Sequence, residues 1–186
     1  MRSFSKATLS VATATALALV GFVPTATADD AATTIALQDR CDPATFDAVL
    51  GAGACNPNHE GRVTFAELGA ALADDPAGVL AERDAEGWRF HSSDTSLRAG
   101  QQLVATNTGG EVHTFTQVPA FAGGCVPPLN AFFKFDINPL CPADRDLRPL
   151  LVFPGSSLRV SNLTAGKTYR FQCLIHPWMR TTVRVG

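Results

Sequence analysis

The sequence predicts a mainly β protein: a sandwich or barrel of short strands carrying a small α-helical N-terminal region. Three observations predict it. From Gly87 onward, short runs alternate apolar and polar residues: "WRFH", "QQLVATN", "EVHTFTQV", "SLRVSNL", "KTYRFQC" and "MRTTVRV". Turns at Ala99-Gly100, Gly109-Gly110, Pro154-Gly155 and Ala165-Gly166 bound several of them. Before Gly87 the period is that of short amphipathic helices.

The chain opens with Arg2 and Lys6, then the uncharged apolar run "ATLSVATATALALVGFV". Pro24 follows, with Ala26 and Ala28 at the small positions that a signal peptidase accepts. Residues 1–28 are therefore expected to be a cleaved signal peptide, and the protein to be secreted or extracytoplasmic. No later stretch is apolar and long enough to suggest a membrane span. Losing residues 1–28 removes Arg2 and Lys6 from the 15 Lys+Arg and none of the 17 Asp+Glu, leaving a net charge of −4. That mild acidity argues against a nucleic-acid partner, which needs a concentrated basic face.

Residues 29–86 are expected to form a small helical region behind a short, patternless lead. Phe46, Val49 and Leu50 recur at helical spacing, and so do Phe65, Leu68 and Leu72. Thr64 and Glu67 have the spacing of a capping box. Asp75-Pro76 should end the second helix, with a further turn or two over 77–85. The intervening loop "NPNHEGRVTFAE" also has some spacing of a calcium loop, with Asn56, Asn58, Glu60 and Glu67 as candidate ligands. An asparagine at the first position, Pro57 and only two carboxylates weaken that reading against a purely structural helix–loop–helix.

Residues 87–186 are expected to be the sandwich. In "KTYRFQC", Tyr169, Phe171 and Cys173 share one face; in "MRTTVRV", Met179, Thr181, Val183 and Val185 do. Between Val118 and Leu150 runs a connection too long for a simple loop. This insertion, at about 119–149, contains Cys125, Cys141 and the apolar "NAFFKFDI". Five cysteines are an odd number. Local pairing, Cys41–Cys55 and Cys125–Cys141, uses four and leaves Cys173 alone, although sequence permits other connectivities. Each short loop closed this way would contribute roughly 3 kcal/mol.

The lone Cys173 stands in "FQCLIHPWMR", with His176 and Met179 close by. Four readings are open. A nucleophilic thiol usually draws its base from elsewhere and has no use for a methionine. Structural zinc prefers further thiolates or imidazoles to a thioether. Cys173 and Met179 can be inert core. Copper fits two imidazoles and a thiolate in a plane with a weak axial thioether, and demands a second histidine from another strand. His113, where a Gly-rich turn leads into a strand in "NTGGEVHTFTQV", is suitably placed. His59 lies in the helical region, and His91 shares the polar parity of Arg89.

The segments "FQCLIHPWMRTTVRV" and "NTGGEVHTF" together resemble the two ligand segments of the cupredoxins, the small blue copper proteins. The short Cys-x-x-His-Pro-x-Met loop is most similar to that of amicyanins and plastocyanins. The resemblance spans 87–186. It implies a Greek-key β-sandwich, one type 1 copper ion, and ligands His113, Cys173, His176 and Met179. It implies a one-electron carrier serving a redox partner protein, and no catalysis. Pro177 would stiffen the loop, and Thr114 would be a hydrogen-bonding residue beside the ligands, where many relatives carry asparagine. Trp178 would either join an apolar patch through which electrons pass or pack against the insertion. Gln172 and Leu174 flank the cysteine where a multicopper oxidase needs histidines, and too few histidines remain for a second, catalytic copper. The alternative is a copper-binding or structural cell-envelope module without redox turnover.

Overall fold

The computed structural model describes residues 32–144 and 146–186; the expected signal peptide lies outside them. Among the described residues, no helix is long and apolar enough to cross a membrane. The order is β1 (Thr33–Gln38), α1 (Pro43–Leu50), α2 (Phe65–Asp74), α3 (Pro76–Glu82), β2 (Arg89–His91), β3 (Asp94–Leu97), β4 (Leu103–Asn107), β5 (His113–Thr114), β6 (Thr116–Val118), α4 (Pro127–Phe133), β7 (Leu151–Val152), β8 (Ser157–Val160), β9 (Thr168–Gln172) and β10 (Arg180–Val185).

Two four-stranded mixed sheets form, ordered β2-β1-β4-β8 and β3-β10-β9-β6, and β5 pairs with β7. β1 runs parallel to β4, with Ile35 opposite Ala105; β10 runs parallel to β3 and antiparallel to β9. Inward residues of both sheets join one core: Ile35, Leu37, Leu103 and Ala105 from the first, Leu97, Phe171, Val183 and Val185 from the second. Phe115 stacks on Phe171 at 4.4 Å between ring centroids, an offset arrangement that adds specificity to plain burial.

β1 corrects the expected boundary. The lead before the helices is not patternless: Ile35 and Leu37 alternate inward with full burial, and the strand lies inside a sheet. The helices are thus inserted between two strands, β1 and β2, that pair with each other. The described part of the expected helical region includes a strand of the first sheet, β1.

The helices form where the sequence places their caps. Asp42 accepts from the Thr45 amide with Pro43 in the first turn of α1, and Asp75 accepts from the Gly78 amide with Pro76 in the first turn of α3. Thr64 and Glu67 make the reciprocal capping box of α2. The Glu67 carboxylate turns back on Thr64, at 2.7 Å from its amide, so the helix start rather than the loop takes it. Phe46 is buried, worth about 1.5–3 kcal/mol over exposure. It stacks on Trp88 at 5.6 Å and meets Phe65 edge-on at 5.3 Å. Disulfide Cys41–Cys55 ties the segment locally, and Cys41 bridges Val63.

The insertion is ordered by α4, the disulfide Cys125–Cys141 and two buried asparagines. Asn130 accepts from the Gly124 amide and donates to its carbonyl; Asn138 donates to the Gly123 carbonyl. Gln172, the last residue of β9, brackets Ala122 and Gly123 with its amide. A Cβ at Gly124 would stand 2.4 Å from the Leu174 carbonyl oxygen, so the insertion can lie against the loop only with glycine there.

Thr64→Ala should lower stability by about 1 kcal/mol in urea unfolding, and Thr64→Ser should restore most of it, because the cap needs only the side-chain oxygen.

Candidate metal centre

β9 and β10 lead into and out of the loop 173–179. The Cys173 amide donates to the Met179 carbonyl at 3.0 Å, and the Met179 amide to the His176 carbonyl at 2.9 Å. This places Cys173 and Met179 side by side at the strand ends, both fully buried. β5 brings His113 to the same place from sixty residues earlier.

The structure brings three of the expected residues together at atomic distances. His113 Nδ1 and His176 Nδ1 stand 3.3 Å apart. Cys173 Sγ lies 4.0 Å from the first and 3.9 Å from the second. All three side chains are buried. Metal–nitrogen and metal–thiolate bonds of about 2.0–2.1 and 2.3 Å allow donor separations up to roughly 4.2–4.4 Å around one ion. The three gaps fall inside that limit, so the donors fit a single metal ion. The group Asp39, Cys41 and His59 also clusters, but Cys41 is in a disulfide and offers no thiolate.

The surroundings fix each donor. Cys173 Sγ accepts from the Thr114 amide at 3.4 Å and the His176 amide at 3.5 Å. Burial would raise its pKa, but the two imidazoles outweigh this and hold the thiol well below its usual range, as a thiolate ligand requires. Thr114 Oγ1 accepts from the Leu174 amide at 2.7 Å, fastening β5 to the loop. The Pro177 carbonyl accepts from Arg180 Nε at 2.5 Å.

Two residues that sequence reading passed over complete the site. Asp39, just after β1, is buried; its Oδ2 accepts from His113 Nε2 at 2.9 Å and the Glu111 amide at 3.0 Å, and its Oδ1 from the Gly110 amide at 3.0 Å. Burial would raise this carboxyl, but the hydrogen bond and charge of His113, with the two amides, hold it well below its usual range. Burial would lower His113, but Asp39 and the Cys173 sulfur reverse this and raise it to about 9 in the metal-free site. Glu111 stands beside His176, with Oε2 3.6 Å from its Nε2 and 2.5 Å from the indole nitrogen of Trp88, which donates to it. Burial raises the Glu111 carboxyl. A signal for Glu111 existed: in "EVH" it lies two residues before His113, on the same side of an extended chain. Asp39 had none, because its partner is distant in sequence.

Of the two roles open to Trp178, the structure has the packing one. It is fully buried, 5.6 Å from Phe133 of α4 and 5.3 Å from the His176 ring, and adds nothing to an exposed patch. The insertion covers it. Asn56, Asn58 and Glu60 are not in this donor group; the Asn56 side chain accepts from the Asn58 amide, and the Asn56 amide donates to the Gly110 carbonyl at 2.8 Å.

No family model matches the sequence. No curated protein matches it. The chain is similar to solved structures of cupredoxins. A purple cupredoxin from Nitrosopumilus maritimus is 16% identical, covering 56% of this chain and 90% of its own, with TM-score 0.37. An amicyanin variant is 17% identical over 53% of this chain and 73% of its own, with TM-score 0.34. A variant fern plastocyanin is 23% identical over 53% of this chain and 89% of its own, with TM-score 0.32. At these TM-scores the likenesses carry no argument for the site; its donor set does.

Thr114→Val should destabilise the metal-free protein by about 1–3 kcal/mol in chemical unfolding, since the buried Leu174 amide loses its acceptor. Thr114→Ser should recover most of the loss.

Proposed function

We propose that the protein is a secreted, single-copper electron carrier with a Greek-key sandwich of cupredoxin type. The observation that carries this is the convergence of two imidazole Nδ1 atoms and one lowered-pKa thiolate, all buried. Met179 follows at the same strand end. Two nitrogens, one thiolate and a neighbouring thioether suit copper better than zinc, for which a thioether is a poor ligand. His113, Cys173 and His176 would hold the ion, with the Met179 thioether as a further, weaker donor. Bound copper would supply one-electron redox chemistry.

The chain's own residues explain why such a site would work. Arg180 and Pro177 stiffen the loop, the Asp39 carboxylate fixes His113 with Nδ1 free to ligate, and burial keeps water from the thiolate. A rigid donor set needs little rearrangement between oxidation states. The two disulfides favour an oxidising compartment, as the expected signal peptide does. A redox partner would exchange electrons through the His176 side of the site.

Cupric ion added to the mature protein should give an intense visible thiolate-to-copper band and a narrow copper hyperfine splitting in paramagnetic resonance. Cys173→Ser should abolish both. A colourless wild-type protein with an ordinary tetragonal copper signal would falsify the reading.

Asp39→Asn should weaken copper binding by about 10–100-fold. The buried anion favours the more highly charged cupric ion, so its loss should raise the reduction potential. If cupric affinity falls tenfold more than cuprous affinity, voltammetry should read an upward shift of about 59 mV. An unchanged or lowered potential would refute the role given to Asp39.

A further inference from the structure

A cavity of about 300 Å³ opens between α1, α2, the start of α4 and the ligand loop. Its walls are apolar: Phe46, Phe65, Leu68, Leu72, Leu129 and Ile175. Two polar side chains, Glu111 and His176, also line it. The cavity therefore ends at the edge of a candidate metal ligand.

The polar atoms leave a defined vacancy for hydrogen bonding. His176 turns Nδ1 toward Cys173 and His113, so a ligating or accepting Nδ1 leaves its proton on Nε2. That Nε2 stands 3.6 Å from Glu111 Oε2. The separation is too long for a hydrogen bond between them, but one hydroxyl can reach both at about 2.7–3.0 Å. A hydroxyl accepts from the imidazole N–H and donates to the carboxylate at once. An ether cannot donate, and an ammonium cannot accept. Around this point the walls offer aromatic and aliphatic carbon. An apolar cavity of about 150 Å³ suffices for benzene, so this one has room for one substituted ring.

We propose that this cavity binds a small single-ring phenol or hydroquinone, with its hydroxyl bridging His176 Nε2 and Glu111. The inference deepens the copper reading by giving the partner at the His176 edge a chemical class, and it rests on that reading for its redox meaning. Binding itself does not require copper.

The test titrates phenol into isotopically labelled protein, metal-free and cuprous, following the methyl signals of Leu68, Leu72, Leu129 and Ile175. The expected result is saturable shifts confined to those groups. Anisole, which keeps the ring and loses the donor, should bind at least about tenfold more weakly. Gly69 lines the cavity, and a Cβ there meets nothing within 4 Å. Gly69→Phe should fill the space and cost phenol at least about tenfold in affinity. No saturable binding to the wild-type protein, or equal affinity for phenol and anisole, overturns the proposal whatever the variant does. A blue protein that ignores phenol sinks this inference alone; phenol binding by a chain that forms no blue site sinks only the copper reading.

Discussion

The Asp39 carboxylate is the buried charge on which the site depends. It sits at the end of β1, accepts from the amides of Cys41, Gly110 and Glu111, and receives His113 Nε2. A carboxylate removed from water is costly unless its lone pairs are filled. Here four donors fill them, and each comes from a segment that must be correctly placed. The result joins the strand before the helices, the Cys41–Cys55 disulfide and the 109–111 turn to one imidazole. It also explains the close packing at Gly110, where a Cβ would stand 2.5 Å from Cys41 Sγ. A side chain there would separate the disulfide from the turn that feeds Asp39.

The loop 173–179 reaches its geometry by a different route. It is short, held between two paired strands, and closed by hydrogen bonds from the Cys173 amide to the Met179 carbonyl and from the Met179 amide to the His176 carbonyl. The insertion then presses on it from outside, with the Cys125 amide donating to the Leu174 carbonyl at 2.6 Å. Neither support is specific to a metal. Together they leave the thiolate and the two imidazoles few other places to go, which is how a binding geometry becomes fixed before its ion arrives.

Much of this was legible in the sequence. The spacing of Cys173, His176 and Met179, with alternation on either side, located the loop of the candidate metal centre. The Gly-rich turn located His113. The capping box of Thr64 and Glu67 marked one helix start because its bonds are local. The illegible parts all depend on distant partners. β1 was missed because six residues with two inward side chains make a weak pattern, and its parallel neighbour β4 lies far along the chain. Asp39 was missed because a carboxylate reveals its burial only through what surrounds it. Trp178 could not be assigned to core or surface until α4 was seen to lie over it. The local pairing of the cysteines was one choice among several until the folded chain brought each pair together.

A lone thiol among four paired cysteines faces a chemical hazard, since exposed thiols in an oxidising compartment exchange with disulfides. Exchange requires a sulfur to attack in line, and Cys173 is fully buried beneath its own loop. The helices and the insertion extend that cover over His176, leaving it 6% exposed. The same cover determines what can reach the centre. Val49 and Leu50 of α1 are exposed, and Leu50 borders the same cavity as the imidazole. A single ring, or one projecting side chain, could descend between the helices. Protection of the thiol and restricted access to His176 are therefore consequences of one arrangement, and a change that opened the cavity to larger molecules would also expose the sulfur's surroundings to water.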